Sequence, residues 1–335
     1  MRAARLVRFG DPPSFELHEV ADPVPRPGEV VVELSAAALN RRDLWVWTTL
    51  DYCRLPVTLG SDGAGVVRAA GAGVAGLAPG DEVVLDPTLG WGESEEHPTP
   101  DFDILGAPSD GTFAEQVVVP AENVAAKPAR LSWEEAAALN LGGLTAWRAA
   151  VTCAGADRGR TILVTGAGSG VSTFAIQIAA ARGARVFVTS STEAKLARAR
   201  LLGAEGGASY LDPGWPEQIR ELAGGELDAA IDSHGGASWE GALRILRRGG
   251  TLVSFGDTSG PETTLTTAEV YWEWRRVLGT SMGSPREYRA MLAHVENASW
   301  RPVIDSVFGL DQIDQAVQRL NSGERFGKVV LSIQR

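Results

Sequence analysis

Between Thr161 and Ala181 the chain reads TILVTGAGSGVSTFAIQIAAA, and its residues with the most specific chemistry are three glycines, Gly166, Gly168 and Gly170. With no Cβ in the way, the backbone N–H groups of such a turn can close on a diphosphate, and a following helix adds the positive end of its dipole. The last glycine of the usual G-x-G-x-x-G spacing is absent, so the glycines alone equally suit an ordinary strand-to-helix turn. Their surroundings favour the ligand. Ile162 to Val164 is a short apolar run of the buried-strand type, and Val171, Phe174, Ile178 and Ala181 recur at helical spacing. Gly183 then stands where a left-handed helix end would fall, and ARVFVT supplies a second strand. Strand, glycine turn, helix and strand form the setting the motif requires. Gly166, Ala167, Gly168, Ser169, Gly170 and Val171 are therefore the expected cradle of a dinucleotide.

The end of the second strand bears on which dinucleotide. An NAD site normally carries Asp or Glu about 20 residues after the turn, to bind the ribose 2′-hydroxyl. Here the stretch is VFVTSSTEAK, with Ser190 and Ser191 as hydroxyl donors and Lys195 as a point charge, a set suited to a 2′-phosphate. NADPH is the expected cofactor. Ser190 and Glu193 also have capping-box spacing, and Glu193 would oppose a phosphate if it turned inward.

These groups need elements to hold them. A chain of 335 residues with 44% hydrophobic and 22% charged residues has material for two cores. Its net charge of −11 argues against a nucleic-acid or anionic-membrane surface. No apolar run approaches ~20 residues, and MRAARLVRFGDPPSFE has no signal-peptide core, so the expected location is the cytoplasm. Cys53 and Cys153 form no C-x-x-C pair. Up to Val119 the sequence offers short strands without helices between them: LVRFG, FELHEV, EVVVELSAAALN, AGVVRAAG, DEVVLD and TFAEQVVVP. From Ser132 the pattern becomes helical, then alternates strand and helix to give six candidate strands, the number of a doubly wound fold. The tail RPVIDSVFG, LDQIDQAVQRLNSG, GKVVLSI reads as strand, helix, strand and returns to the first domain.

The blocks LNRRDLW, LGSDGAGVV, PGDEVV, GTFAEQVVVP, LTAW, VTGAGSGV and FGKVV follow one another in an order and spacing that resembles the medium-chain dehydrogenase/reductase superfamily. Within it the chain is similar to the zinc-free quinone oxidoreductase branch, which includes members labelled zinc-type alcohol dehydrogenase-like. The resemblance implies an α/β protein: a GroES-like β-barrel catalytic domain over 1–127, completed by 302–335, and a Rossmann NADP-binding domain over 128–301. It usually implies a homodimer. Zinc-dependent relatives place catalytic ligands where this chain has Asn40, Ser61 and Leu141, a set that cannot supply the three ligands zinc needs. Their structural-zinc lobe corresponds to TLGWGESEEHPTPDFDIL, which has no cysteine. No metal is expected. In relatives Thr145 lies near the nicotinamide, Phe255, Gly256 and Lys328 close over it, and Tyr210 flanks the adenosine phosphate. Ser172 replaces the small residue, often glycine, that ends the family's turn, which puts close helix-to-strand packing in question.

Without a metal, side chains must polarise the substrate. Asn40 has an amide to donate to a carbonyl oxygen, Asp43 can accept from a substrate or pair with Arg41 or Arg42, and Tyr52 is a candidate proton donor. Trp45, Trp47 and Trp91 offer apolar lining, although WVW would also suit the two faces of a strand. His234, after a predicted strand, reads as a loop histidine. The expected activity is hydride transfer from NADPH to a quinone or to a C=C bond conjugated to a carbonyl. Alcohol or carbonyl dehydrogenation and a non-catalytic NADPH-binding sensor are the alternatives.

Overall fold

The computed structural model describes residues 1–10, 13–46 and 53–333. It divides into two compact units, Met1–Gly142 with Ser284–Arg335, and Gly143–Gly283. The divisions expected at 127/128 and 301/302 fall elsewhere. Residues 128–142 and the helix Pro285–Asn297 lie in the first unit, where the buried Tyr288 hydroxyl donates to Asn140 Oδ1 at 2.7 Å.

The first unit is built on a seven-stranded sheet with the strand Glu29–Ala38 at its centre. This strand is almost continuously apolar and nearly all buried, as befits a strand covered on both faces. It pairs antiparallel with Asp62–Ala70 on one side and with Lys328–Ser332 on the other, and also with Gln116–Pro120. The six strands read from the N-terminal third all appear, with ends shifted by a few residues. One reading fails: Trp45 lies on the short helix Arg41–Val46 rather than on a strand.

The second unit is a six-stranded parallel sheet. Its order is Gly206–Ser209, Arg185–Ser190, Thr161–Val164, Leu227–Asp232, Leu246–Ser254 and Arg276–Gly279. The chain winds outward from Thr161–Val164 in one direction, returns, and winds outward in the other, so the direction reverses between Thr161–Val164 and Leu227–Asp232. Ligands of such sheets bind beyond the carboxyl ends of the strands at that reversal. The helix Gly170–Ala181 ends as predicted, with Gly183 at φ +87° donating to Ala180 O at 2.9 Å. Among the described residues no helix is long and apolar enough to cross a membrane.

Candidate active site

Strand register assembles a polar centre in the first unit. Ala38 faces Asp62 across one pairing and Val330 across the other. Asn40, two residues past Ala38, and Lys328, two before Val330, are thereby brought to Asp62. The wholly buried Asp62 carboxylate receives Lys328 Nζ at 2.8 Å and Asn40 Nδ2 at 2.9 Å on Oδ2, and Leu141 N–H at 2.7 Å on Oδ1. Lys328 Nζ also donates to Asn40 Oδ1 at 2.5 Å. A lone carboxylate at this depth would cost several kcal/mol; an ammonium and two N–H donors offset that cost.

The three positions where zinc-dependent relatives carry ligands do converge, but not as ligands. Asn40 and Leu141 both donate to Asp62, and Ser61 Oγ accepts from Arg42 at 3.0 Å. Among the described residues no group of three or more His, Cys, Asp or Glu side chains could hold a metal ion. The donor set does not fit a catalytic zinc, because Leu141 presents only backbone and the Asp62 carboxylate is already neutralised by an ammonium. Lys328 is paired with Asp62, since a buried ammonium needs a counter-charge.

Asp43 is wholly buried on the helix Arg41–Val46. Its Oδ2 accepts the Asn40 N–H at 2.7 Å, while Oδ1 has no hydrogen-bond partner among the described residues. Burial raises its carboxyl to about 6, against the opposing pull of Arg42. Tyr52 and Trp47 lie outside the described residues. Trp91 is buried with its ring edge-on to Phe102 and Nε1 donating to Ser94 O at 2.6 Å, which makes it lobe core rather than pocket lining.

Sequence reasoning missed Asn140, Tyr288 and Asp86. Asn140 Nδ2 donates to Gly63 O at 3.0 Å, beside Asp62, and burial pushes the Tyr288 phenol well above its usual range. Asp86 is pushed up to about 6, chiefly by burial. A carboxyl whose folded pKa exceeds its unfolded value near 3.8 binds its proton more tightly when folded, so stability is greatest at low pH and falls as pH rises from about 4 to 6. Asp86→Asn should remove a fall of up to about 3 kcal/mol. Thermal melts of variant and parent between pH 4 and 7.5 should therefore diverge as pH rises; parallel curves would refute the shift.

In the second unit the glycine turn opens the helix Gly170–Ala181, and Ser169 caps it by accepting the Ser172 N–H at 3.1 Å. Ser172 answers the packing question: it is wholly buried and donates its hydroxyl to Thr165 O at 3.0 Å, holding helix to strand where a glycine would simply fit. The 2′-phosphate set needs correction. Ser190 is buried and its hydroxyl donates to Ala167 O at 2.9 Å, so it braces the turn instead of pointing outward. Thr192, not Ser190, caps the next helix, Glu193–Leu201, by accepting the Lys195 N–H at 3.3 Å. Glu193 pairs with Arg200 at 2.7 Å on the exposed face of that helix. Ser191 and Lys195 are partly exposed, and Tyr210, 40% exposed, follows the strand Gly206–Ser209. Thr145 is buried near the end of the helix Trp133–Trp147. Phe255 and Gly256 directly follow the strand Leu246–Ser254, and the Phe255 N–H donates to Asp232 O at 3.1 Å.

A doubly wound sheet with a helix-capped glycine turn is the architecture of a dinucleotide-binding domain, and comparison with known proteins agrees. Residues 26–129 match the family described as Alcohol dehydrogenase GroES-like domain, and residues 170–297 the family described as Zinc-binding dehydrogenase. The chain is 36% identical to the zinc-type alcohol dehydrogenase-like protein YogA of Leptosphaeria maculans, over 95% of this chain and 94% of that one. It is 29% identical to a crotonyl-CoA reductase of Streptomyces avermitilis, over 98% of this chain and 84% of the relative. A crystal structure of an NAD-dependent alcohol dehydrogenase superposes with a TM-score of 0.94 at 41% identity, covering all of both chains. The chain belongs to the medium-chain dehydrogenase/reductase superfamily of oxidoreductases.

Proposed function

We propose that the protein is a zinc-independent, NADPH-dependent reductase of a quinone or of a C=C bond conjugated to a carbonyl. The observation that supports this most is the Lys328–Asp62–Asn40 cluster. It sets the Asn40 amide, at one of the positions where zinc-dependent relatives carry a metal ligand, against a buried ammonium–carboxylate pair. When bound, the nicotinamide supplies a hydride. Conjugate addition then asks of the protein only a donor to the developing enolate oxygen and a proton for carbon. Asn40 Nδ2 uses one proton on Asp62 and has a second for the substrate oxygen, and Asp43, with its raised carboxyl, is a proton source. Alcohol oxidation requires removal of a hydroxyl proton, and the side chains at 40, 61 and 141 are not a zinc ligand set that would assist it. The relative named crotonyl-CoA reductase favours enoyl reduction, and the 41% identical structure titled NAD-dependent alcohol dehydrogenase favours the alternative, alcohol dehydrogenation with NAD.

Purified protein assayed with NADPH and NADH against quinones, enones, enoyl thioesters and alcohols separates the two. Turnover of an enone or quinone that survives chelation, with NADPH bound more tightly than NADH, is the expected result. Zinc-dependent alcohol oxidation with NAD would replace this reading, and failure to reduce any acceptor would leave the sensor.

The chain should also pair with a second copy. All four residues of the edge strand Arg276–Gly279 are exposed, and Tyr271, Trp272 and Trp274 beside it are 65%, 64% and 73% exposed. An open edge with apolar neighbours invites strand addition. Sedimentation should find a dimer that Val277→Pro converts to monomer; a monomeric parent would refute it.

A further inference from the structure

We propose that Tyr288 is a positioning residue of the candidate site: through Asn140 it sets the Asp62 carboxylate, and thereby the direction of the Asn40 amide. This rests on the role given to Asn40 above. An aspartate side chain ends in a torsion that is broad and roughly two-fold, so burial alone does not aim the Asp62 oxygens. Oδ2 takes Asn40 Nδ2 and Lys328 Nζ, and the direction of Oδ2 depends on what holds Oδ1. That partner is the Leu141 N–H at 2.7 Å, a backbone donor inside the helix Trp133–Trp147. The main chain of Asp62 is held separately, by Thr112 Oγ1 donating to its carbonyl at 2.8 Å.

Asn140, the residue before Leu141, fixes that donor. Its Nδ2 donates to Gly63 O at 3.0 Å, next to Asp62, and to Ala137 O at 3.2 Å. Ala137 O is the carbonyl that the α-helical ladder offers to the Leu141 N–H, so a side-chain donor there helps to leave the Leu141 N–H directed to Asp62. Both carbonyls can only accept, which places the amide nitrogen toward them and Oδ1 toward Tyr288. The Tyr288 hydroxyl completes the set, donating to Oδ1 at 2.7 Å across 148 positions. Burial, with the charges of Asp86 and Asp62, holds the phenol well above its usual range, so it stays protonated and acts by donating. Without it the oxygen of a wholly buried amide is left unpaired, and the amide is free to turn away from Gly63 and Ala137.

Tyr288→Phe, Asn140→Ala, Asn40→Ala and the double variant Tyr288→Phe/Asn40→Ala test this by kinetics and by magnetic resonance of protein carrying isotope-labelled asparagine. The chain has five asparagines, Asn40, Asn123, Asn140, Asn297 and Asn321, so the Asn40 side-chain amide signals are assigned by their loss in Asn40→Ala. Tyr288→Phe should move those signals and lower kcat for the best acceptor roughly three- to tenfold, with KM and NADPH affinity changed less than about twofold. The loss is modest because Lys328 still holds Oδ2. In the Asn40→Ala background the same substitution should lower kcat no further. Asn140→Ala, which cuts the chain of contacts one link later, should reproduce both the shift and the loss, and it carries the test if Tyr288→Phe does not fold. Rates are compared below the melting temperature of every variant, because a role in packing alone lowers that temperature and leaves the Asn40 signals in place. Unmoved Asn40 signals, or a kcat loss that recurs in full in the Asn40→Ala background, overturns the proposal. Moved signals with kcat unchanged keep the positioning and count against Asn40 as the oxygen donor. A protein that reduces no acceptor counts against the proposed function, and the Asn40 signals still decide this inference because they are read without turnover.

Discussion

Lys328→Met should destabilise the first unit by about 3–5 kcal/mol, the usual consequence of removing one partner from a buried ion pair. The size follows from what is left behind. Asp62 is wholly buried, and without the 2.8 Å ammonium its carboxylate keeps only the Asn40 and Leu141 N–H groups. Asn40 Oδ1 loses its donor at the same time. The attraction itself is smaller than this loss, because both charges were stripped of water to form it. The double variant Asp62→Asn/Lys328→Met should therefore recover much of the stability: a neutral amide still accepts from Leu141 and can donate to a flipped Asn40. Urea denaturation of the parent and the two variants measures both steps. A single-variant loss below about 1 kcal/mol would place the pair among exposed salt bridges in effect, contrary to its burial.

The second large effect is expected on turnover. Asn40→Ala should lower kcat/KM for the best acceptor by about 10²–10³, the range for losing one donor to a developing oxyanion, while NADPH affinity changes little. Alanine also removes the oxygen that Lys328 donates to, so a loss could reflect a shifted lysine. Asn40→Asp separates these causes. It keeps an acceptor for Lys328 but has no N–H for substrate, and it should be about as slow as alanine. Near-parent rates in Asn40→Asp would assign Asn40 a structural role and move the search for the oxygen donor elsewhere.

Local pattern carried the second unit. Strand, glycine turn and helix are set by neighbours along the chain, through apolar period, the missing Cβ and the left-handed Gly183, and a string of residues displays such signals openly. Even there hydroxyls misled: Ser190 and Thr192 stand two residues apart, either could cap a helix, and only the placement of Ala167 O against Ser190 decided which one does.

The polar centre of the first unit shows the opposite limit. The residue types at 40, 61 and 141 already argued against an ordinary zinc ligand set at those positions, because ligand chemistry belongs to side chains wherever they are placed. That Lys328 answers Asp62 across 266 positions could not be read in advance. It depends on the register of three strands, and a slip of one residue would turn either side chain to the other face. Burial of Asp43 and Asp86, and with it their raised carboxyls, is likewise a property of the packed unit. The sequence by itself determined most of the element types and the glycine turn that opens the helix Gly170–Ala181; the tertiary structure alone decided which charges meet and which hydroxyls are spent, because desolvation and pairing act between residues that only folding makes neighbours.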